Sequence, residues 1–164
     1  MDEVIDWLGF CNARRLHSAL LKTHGLISAV SFGEIKTHAT PLLKPVASPY
    51  RKECWQISDE LAGAIAQVQR SVQVSLANIQ SRLDVKGEDG APTGERLFLY
   101  QPRSFLVIGS LAEFRTQHGI NEEKYSSFEL FRRNVTAPEI ITFDELFERA
   151  RFIVEAGERK RPAV

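Results

Sequence analysis

The sequence predicts an α/β fold in which a mixed β-sheet is flanked by α-helices. The first observation is an unbroken apolar stripe at helical spacing in the middle of the chain. The second is a set of short apolar runs, typical of strands, on both sides of that stripe. The third is the closing segment, EIITFDELFERARFIVEAG, which has the pattern of a strand followed by a helix.

Length and composition fit one soluble globular domain covering residues 1–164. The chain is 43% apolar and 26% charged, and its 21 basic and 21 acidic residues give a formal charge of zero. A neutral chain argues against nucleic-acid binding as the sole function. No run reaches the ~18 apolar residues of a membrane-spanning helix. No signal-peptide pattern begins the chain. We therefore expect a cytoplasmic protein without membrane contact, and the abrupt start suggests the C-terminal part of a longer one.

The first half of the chain predicts a short helix, a hairpin and a long helix. MDEVIDWLGF has helical spacing, and RRLHSALLK and ISAVSFGEIKT are strand candidates joined by the turn residues THG. The proline-rich segment Thr40–Pro49 must be a loop. Ser58 is the expected N-cap of the long helix. Its apolar stripe contains Ile57, Leu61, Ile65, Val68, Val72, Leu76, Ile79 and Leu83.

The second half predicts a loop, a buried strand and further helices. KGEDGAPTGER is rich in glycine and charge and should be a surface loop. Two apolar runs follow around Gln101-Pro102, and the second, SFLVIG, is the candidate central strand. Residues 112–118 and 122–133 are expected to be helical, EIITF a strand, and DELFERARFIVEAG a helix with Gly157 near its C-cap.

The tripeptide Glu34-Ile35-Lys36 is the best candidate for chemistry. Glu34 and Lys36 follow Val30 and Phe32 on one face of a strand, because strand side chains repeat with period two. A partly buried carboxylate and ammonium each need a partner or a metal ion. Two interpretations stay open, an ion pair at a strand end and a metal-dependent phosphodiesterase site. Three other acidic-x-Lys matches, at residues 84–86, 122–124 and 158–160, occur where solvated charge is expected.

The residue types suit phosphodiester hydrolysis. Mg²⁺ takes one or two protein carboxylates, with water and substrate phosphate completing its shell, so Glu34 could hold the ion. The backbone carbonyl of Ile35 could add a ligand. The Lys36 ammonium could orient the attacking water or stabilise negative charge that develops on the phosphate.

Several segments together resemble the Shedu family of antiviral proteins, a branch of the PD-(D/E)xK nuclease superfamily. They are FGEIKTHATPLL, YRKECWQISDELAGAIAQVQ, PRSFLVIGS, FELFRRN and EIITFDELFERAR, and the resemblance runs from about Arg15 to Ala156. It implies a restriction-endonuclease-like sheet flanked by helices. It also implies an endonuclease that nicks or cleaves double-stranded DNA in anti-phage defence, with Mg²⁺ or Mn²⁺ as its metal. A homo-oligomer is the expected assembly.

The superfamily pattern also assigns roles to individual residues. Glu34 and Lys36 match its acidic-x-Lys pair, and Gln67 matches its helix glutamine and lies off the apolar stripe. His17 stands where the pattern has a metal-binding Asp, and imidazole suits transition metals better than magnesium. The implied metal ligands are therefore Glu34, the Ile35 carbonyl and His17. His17 is equally well explained as an ordinary, partly buried histidine.

Two rival functions stay open, and in the first of them His17 marks a lost metal site. The first is a catalytically weakened or inactive nuclease-fold domain that serves DNA binding or oligomer assembly. The second is an interaction module in which Glu34 and Lys36 form a structural ion pair.

Overall fold

The computed structural model describes residues 18–22, 29–79, 82–86 and 89–159. The predicted N-terminal helix and His17 lie outside the described residues. The described elements in chain order are β1 (Ser18–Lys22), β2 (Ala29–Ile35), α1 (Asp59–Ile79), β3 (Arg82–Lys86), β4 (Pro92–Val107), a 3₁₀ helix (Leu111–Phe114), β5 (Arg115–Thr116), β6 (Gly119–Ile120), α2 (Glu122–Asn134), β7 (Glu139–Ile141) and α3 (Phe143–Arg159). The chain is mixed α/β, as the sequence predicted.

The chain divides into two compact units, and each unit consists of several segments of the sequence. The first contains the described residues up to Ile35, together with Ala62–Leu106 and Val135–Glu139. The second contains Lys36–Leu61, Val107–Asn134 and the described residues from Ile140 onward.

Strand β2 pairs with β1 as predicted, and the predicted turn residues THG lie outside the described residues. The two strands are antiparallel, with Ser18 opposite Glu34 and Lys22 opposite Val30. The five-stranded sheet has the order β1-β2-β4-β3, and β7 also pairs with β4. Strand β2 is a central strand of this sheet, and burial of the consecutive residues Val30, Ser31 and Phe32 shows that both of its faces are covered.

Helix α1 begins as predicted and ends earlier than predicted. The Ser58 side-chain oxygen accepts a hydrogen bond from the backbone N–H of Leu61 at 3.0 Å, which is the geometry of an N-cap. Leu61, Ile65 and Val68 are buried on one stripe. Leu83 does not belong to that stripe, because β3 pairs residue 83 with Leu97 of β4. One leucine can satisfy helical and strand spacing at once, so the stripe alone did not locate the helix end.

Strand β4 corrects the prediction of a surface loop at KGEDGAPTGER. It begins at Pro92, inside that segment, and continues past Gln101-Pro102 as one strand. Antiparallel pairing with β3, which sets Asp84 opposite Arg96, satisfies backbone groups that a loop would leave to water. Gln101 has a φ of 44°, so the left-handed bend at this residue keeps both apolar runs in one strand. The predicted central position of SFLVIG is confirmed, because β4 neighbours β2, β3 and β7.

The C-terminal half contains one wrong helix prediction and two confirmed elements. Residues 112–118 form only the end of a 3₁₀ helix and the start of the β5–β6 pair. There the Thr116 hydroxyl donates to the Gly119 carbonyl, and Gly119 has a φ of 120°, which a helix does not allow. Helix α2 and strand β7 agree with their predicted segments.

Helix α3 is present as predicted, with Gly157 in its last described turn. Its described residues extend to Arg159. None of the described helices combines the length and the hydropathy needed to cross a membrane.

Candidate functional site around Glu34 and Lys36

Glu34 lies at the second-last position of β2 and is more deeply buried than the sequence suggested. Only 1% of its surface is exposed. It continues the face of Val30 and Phe32, as period two requires, so an apolar row ends in a carboxylate. A carboxylate at such a position is costly to keep charged unless a cation, a metal ion or hydrogen-bond donors compensate it.

Lys36 directly follows the end of β2 and is half-buried. Its backbone N–H donates to the Val107 carbonyl at 2.9 Å, which fixes the chain next to the last residue of β4. The intervening Ile35 has an exposed side chain. Glu34 is buried, Ile35 is exposed and Lys36 is half-buried, so exposure alternates along these three residues as predicted.

A tight turn fixes the chain immediately after Lys36. The Thr37 carbonyl accepts hydrogen bonds from the N–H groups of Thr40, at 3.2 Å, and Gly109, at 3.0 Å. The Thr37 N–H in turn donates to the Thr40 hydroxyl oxygen at 3.2 Å. The backbone on the C-terminal side of the Lys36 ammonium is therefore held at several points.

Gly109 is a requirement of this turn that sequence reasoning missed. Its φ is 65°, and a Cβ there would lie 2.6 Å from Leu42 Cδ2 and 2.9 Å from the Thr40 carbonyl oxygen. A residue with a side chain could not adopt this conformation without displacing backbone. The available signal was a lone glycine at the end of a buried apolar run, in SFLVIGS.

Gln67 is an exposed residue of α1. It lies off the buried stripe of Leu61, Ile65 and Val68, as predicted. Its backbone carbonyl accepts the Ser71 hydroxyl at 3.0 Å. Its neighbour Gln69 has a structural role, since its amide donates to the Ala137 carbonyl at 2.7 Å. The approach of Gln67 to Glu34 stays a prediction.

The possible metal ligands near Glu34, among the described residues, suit only a site in which water and substrate complete the coordination of the ion. Among residues 18–22, 29–79, 82–86 and 89–159, no three His, Cys, Asp or Glu side chains are grouped to hold an ion. The donors at β2 are the Glu34 carboxylate and the Ile35 carbonyl, and His17 lies outside the described residues. This set fits Mg²⁺ that keeps several waters and takes substrate phosphate, rather than an ion enclosed by protein.

Comparison with known proteins shows to which family the chain belongs. The family model described as "Shedu protein SduA, C-terminal" matches residues 12–147. The chain belongs to the Shedu family. A Shedu protein SduA from Bacillus cereus (strain B4264) is 30% identical over 129 residues, which are 76% of this chain and 30% of that relative. The chain thus spans less than a third of the relative's length.

The Shedu match contains every residue proposed for the site. Glu34, Lys36, Gln67 and His17 all lie between residues 12 and 147. The resemblance to the Shedu family inferred from the sequence motifs is confirmed, and the nuclease-superfamily assignment stays a prediction.

A second cluster of charged residues in this Shedu chain lies in the second unit and has a structural character. Arg132 of α2 donates two hydrogen bonds to the Glu145 carboxylate, at 2.6 and 2.7 Å, and also pairs with Glu129. Glu145 further accepts from the backbone N–H and the hydroxyl of Thr142, both at 3.0 Å. Partial burial alone would raise the pKa of Glu145. The Arg132 and Thr142 hydrogen bonds and the Arg132 charge outweigh burial and lower that pKa to about 2.

Proposed function

We propose that this chain is a restriction-endonuclease-like domain that nicks or cleaves double-stranded DNA with a divalent metal, in defence against phage. The observation that carries the proposal is Glu34, a carboxylate 1% exposed that ends the apolar row of a central strand two residues before Lys36. Membership of the Shedu family supports a role in antiviral defence.

Each residue of the site has a distinct task in this proposal. Glu34, the Ile35 carbonyl and His17 would hold Mg²⁺ or Mn²⁺. The bound ion would lower the pKa of a water molecule and neutralise charge on the phosphate. Lys36, whose backbone N–H donates to the Val107 carbonyl, would supply its ammonium group to stabilise negative charge developing on the phosphate. Gln67 is assigned to orient water or substrate through its side-chain amide.

A plasmid-nicking assay tests this function. Supercoiled plasmid is incubated with Mg²⁺ or Mn²⁺ and the unmodified chain, Glu34→Gln or Asp84→Asn. Asp84 belongs to another acidic-x-Lys tripeptide, is exposed, and lies 3.6 Å from Arg96. We expect nicking that is stronger with Mn²⁺ than with Mg²⁺, that Glu34→Gln abolishes and that Asp84→Asn preserves. Nicking that survives Glu34→Gln, or that persists in EDTA, contradicts the proposal.

The depth of Glu34 burial favours a second candidate function. A side chain with 1% of its surface exposed is also what a purely structural carboxylate would show. The chain would then be a nuclease-fold domain without catalysis that contributes DNA binding or homo-oligomer assembly. Titration calorimetry with Mn²⁺ separates the two candidates. Binding that Glu34→Gln removes supports the nuclease, whereas no binding by the folded, unmodified chain supports the non-catalytic domain.

A further inference from the structure

The outer face of β4 carries an unusual row of side chains within the first unit. Leu97, Ser104 and Leu106 are buried on the inner side of the strand. The buried positions change from an odd number at Leu97 to even numbers at Ser104 and Leu106, and Gln101, which has a φ of 44°, lies between them. The outward positions are therefore Arg96, Phe98, Tyr100, Gln101 and Arg103, hereafter the β4 outer face.

Two aromatic rings lie at the centre of this face. Phe98 and Tyr100 are stacked with centroids 5.9 Å apart and an interplanar angle of 17°. Tyr100 is 70% exposed. The two rings are nearly parallel, and the exposure of Tyr100 leaves ring surface open to solvent. Aromatic rings in this arrangement are suited to stacking with another planar group.

Basic residues surround the aromatic pair. Arg96 lies two positions before Phe98 with a 63% exposed side chain, and it contacts Asp84 at 3.6 Å. Arg103 is exposed on the other side of the pair. Strands β3 and β4 together contain more basic than acidic residues, in a chain whose formal charge is zero. The basic residues are Arg82, Lys86, Arg96 and Arg103, and the acidic residues are Asp84 and Glu95.

We propose that the β4 outer face binds single-stranded DNA. Proteins that hold single strands combine aromatic rings, on which bases stack, with cations that contact the phosphates, and this face has both. A single strand is favoured over a duplex because paired bases are covered on both faces by their neighbours and cannot stack on the exposed Tyr100 ring. This binding requires no metal ion and uses none of the residues assigned to hydrolysis.

Fluorescence anisotropy with a labelled oligo(dT) in EDTA tests the proposal separately from any nuclease activity. We expect Tyr100→Ala to weaken binding roughly tenfold, the loss typical of one stacked base. Tyr100→Phe should retain the affinity, since the ring and not the hydroxyl stacks. Arg103→Gln should make the dependence of log affinity on log salt less steep by about 0.7, the loss of one phosphate contact on a single strand.

Controls make each outcome decisive. Phe152→Ala removes an aromatic ring that is 67% exposed on α3 and should leave the affinity unchanged. An equal loss in Phe152→Ala and Tyr100→Ala would overturn the proposal, as would oligo(dT) binding insensitive to Tyr100→Ala. The proposal also fails if the folded, unmodified chain does not bind oligo(dT). It fails equally if Tyr100→Ala changes the sedimentation coefficient without changing DNA affinity, because the face then binds protein.

Discussion

Among single residues, Glu34 and Lys36 differ in what their burial implies. Glu34 is enclosed at the end of an apolar row, whereas Lys36 is half-buried just beyond the strand. Changing the carboxylate therefore affects packing and charge together. Changing the ammonium affects mainly charge, since the backbone of residue 36 is fixed through its N–H group. Lys36 is for this reason the cleaner probe of chemistry.

We predict that Lys36→Ala abolishes metal-dependent nicking while changing the free energy of unfolding by about 0–1 kcal/mol, the range for partly open ion pairs. Val68→Ala, on the buried stripe of α1, should instead cost about 1–3 kcal/mol through lost packing. Its nicking per folded molecule should remain. Urea denaturation and the plasmid assay measure the two quantities. If Lys36→Ala unfolds the chain while cleavage per folded molecule persists, Lys36 is structural.

A second prediction at this scale concerns His17, which the proposed function places at a metal-ligand position. Glu34 and one backbone carbonyl provide few anionic ligands for magnesium, so we expect little nicking by this chain with Mg²⁺. Mn²⁺ should restore part of it, because it accepts imidazole more readily. His17→Asp should raise nicking with Mg²⁺, and each tenfold gain corresponds to about 1.4 kcal/mol of barrier.

The His17 comparison needs both saturating and limiting metal, which separates metal affinity from chemistry. His118→Asp, at an exposed residue, is the matched control and should change nothing. Efficient nicking with Mg²⁺ by the unmodified chain, unaffected by His17→Asp, would show that His17 is not at the metal-ligand position.

At the scale of helices and strands, Glu145 provides a test of how α2 and α3 are held within the second unit. Its pKa of about 2 lies below the ordinary value of 4.5, so ionised Glu145 stabilises the folded state. This contribution is complete above pH 4.5 and is lost as the pH falls toward 2. We predict that Glu145→Gln costs about 1–3 kcal/mol at pH 7, and that the difference from the unmodified chain shrinks between pH 4.5 and 2.

Urea denaturation at pH 7, 5, 4 and 3 measures this dependence. Glu148→Gln is the matched control, because Glu148 also pairs with an arginine, Arg151 at 2.6 Å, but is 64% exposed. Glu148→Gln should change the free energy of unfolding by about 0–1 kcal/mol at every pH. If Glu145→Gln lowers the free energy of unfolding by the same amount at every pH, the Glu145 charge has no role in stability.

The elements that the sequence predicted are those whose cause is local. The β1–β2 pairing, the Ser58 N-cap and helix α2 each follow from patterns within a few residues. The start of β4 inside a glycine-rich segment was missed because pairing with β3 determines it. Local composition there favours a loop, and only the partner strand outweighs that preference.

In the candidate site too, local patterns predicted some features, whereas contacts between distant residues determine others. Period two predicted that Glu34 continues the face of Val30 and Phe32, but its near-complete burial depends on what packs over that face, which the local pattern does not show. The Arg132–Glu145 pair joins residues 13 apart in different helices, a spacing with no local pattern. The conformation required of Gly109 likewise depends on Leu42 and Thr40. Contacts between distant residues set these features, so one sequence does not reveal them.

At the scale of the whole chain, neutrality determines how it can meet DNA. Equal numbers of basic and acidic residues leave no general attraction to phosphates. Duplex affinity in EDTA should therefore be weak, with a slope of log affinity against log salt shallower than about −4. A divalent ion held at Glu34 would add positive charge where the proposed chemistry needs it. Duplex binding by this chain should then depend on metal.

We accordingly predict that Ca²⁺, which accepts the same oxygen ligands as Mg²⁺, raises affinity for a labelled duplex about tenfold over EDTA. Glu34→Gln should show no gain in duplex affinity with Ca²⁺. Its affinity in EDTA should equal that of the unmodified chain, because residue 34 contributes to duplex binding only by holding the metal ion. Asp84→Asn, which removes an exposed carboxylate, should retain the gain. Anisotropy at fixed ionic strength measures all three, with a gel to verify that the duplex is intact. A gain of equal size in Glu34→Gln would mean that the ion acts on the DNA, and that Glu34 holds no metal in the complex.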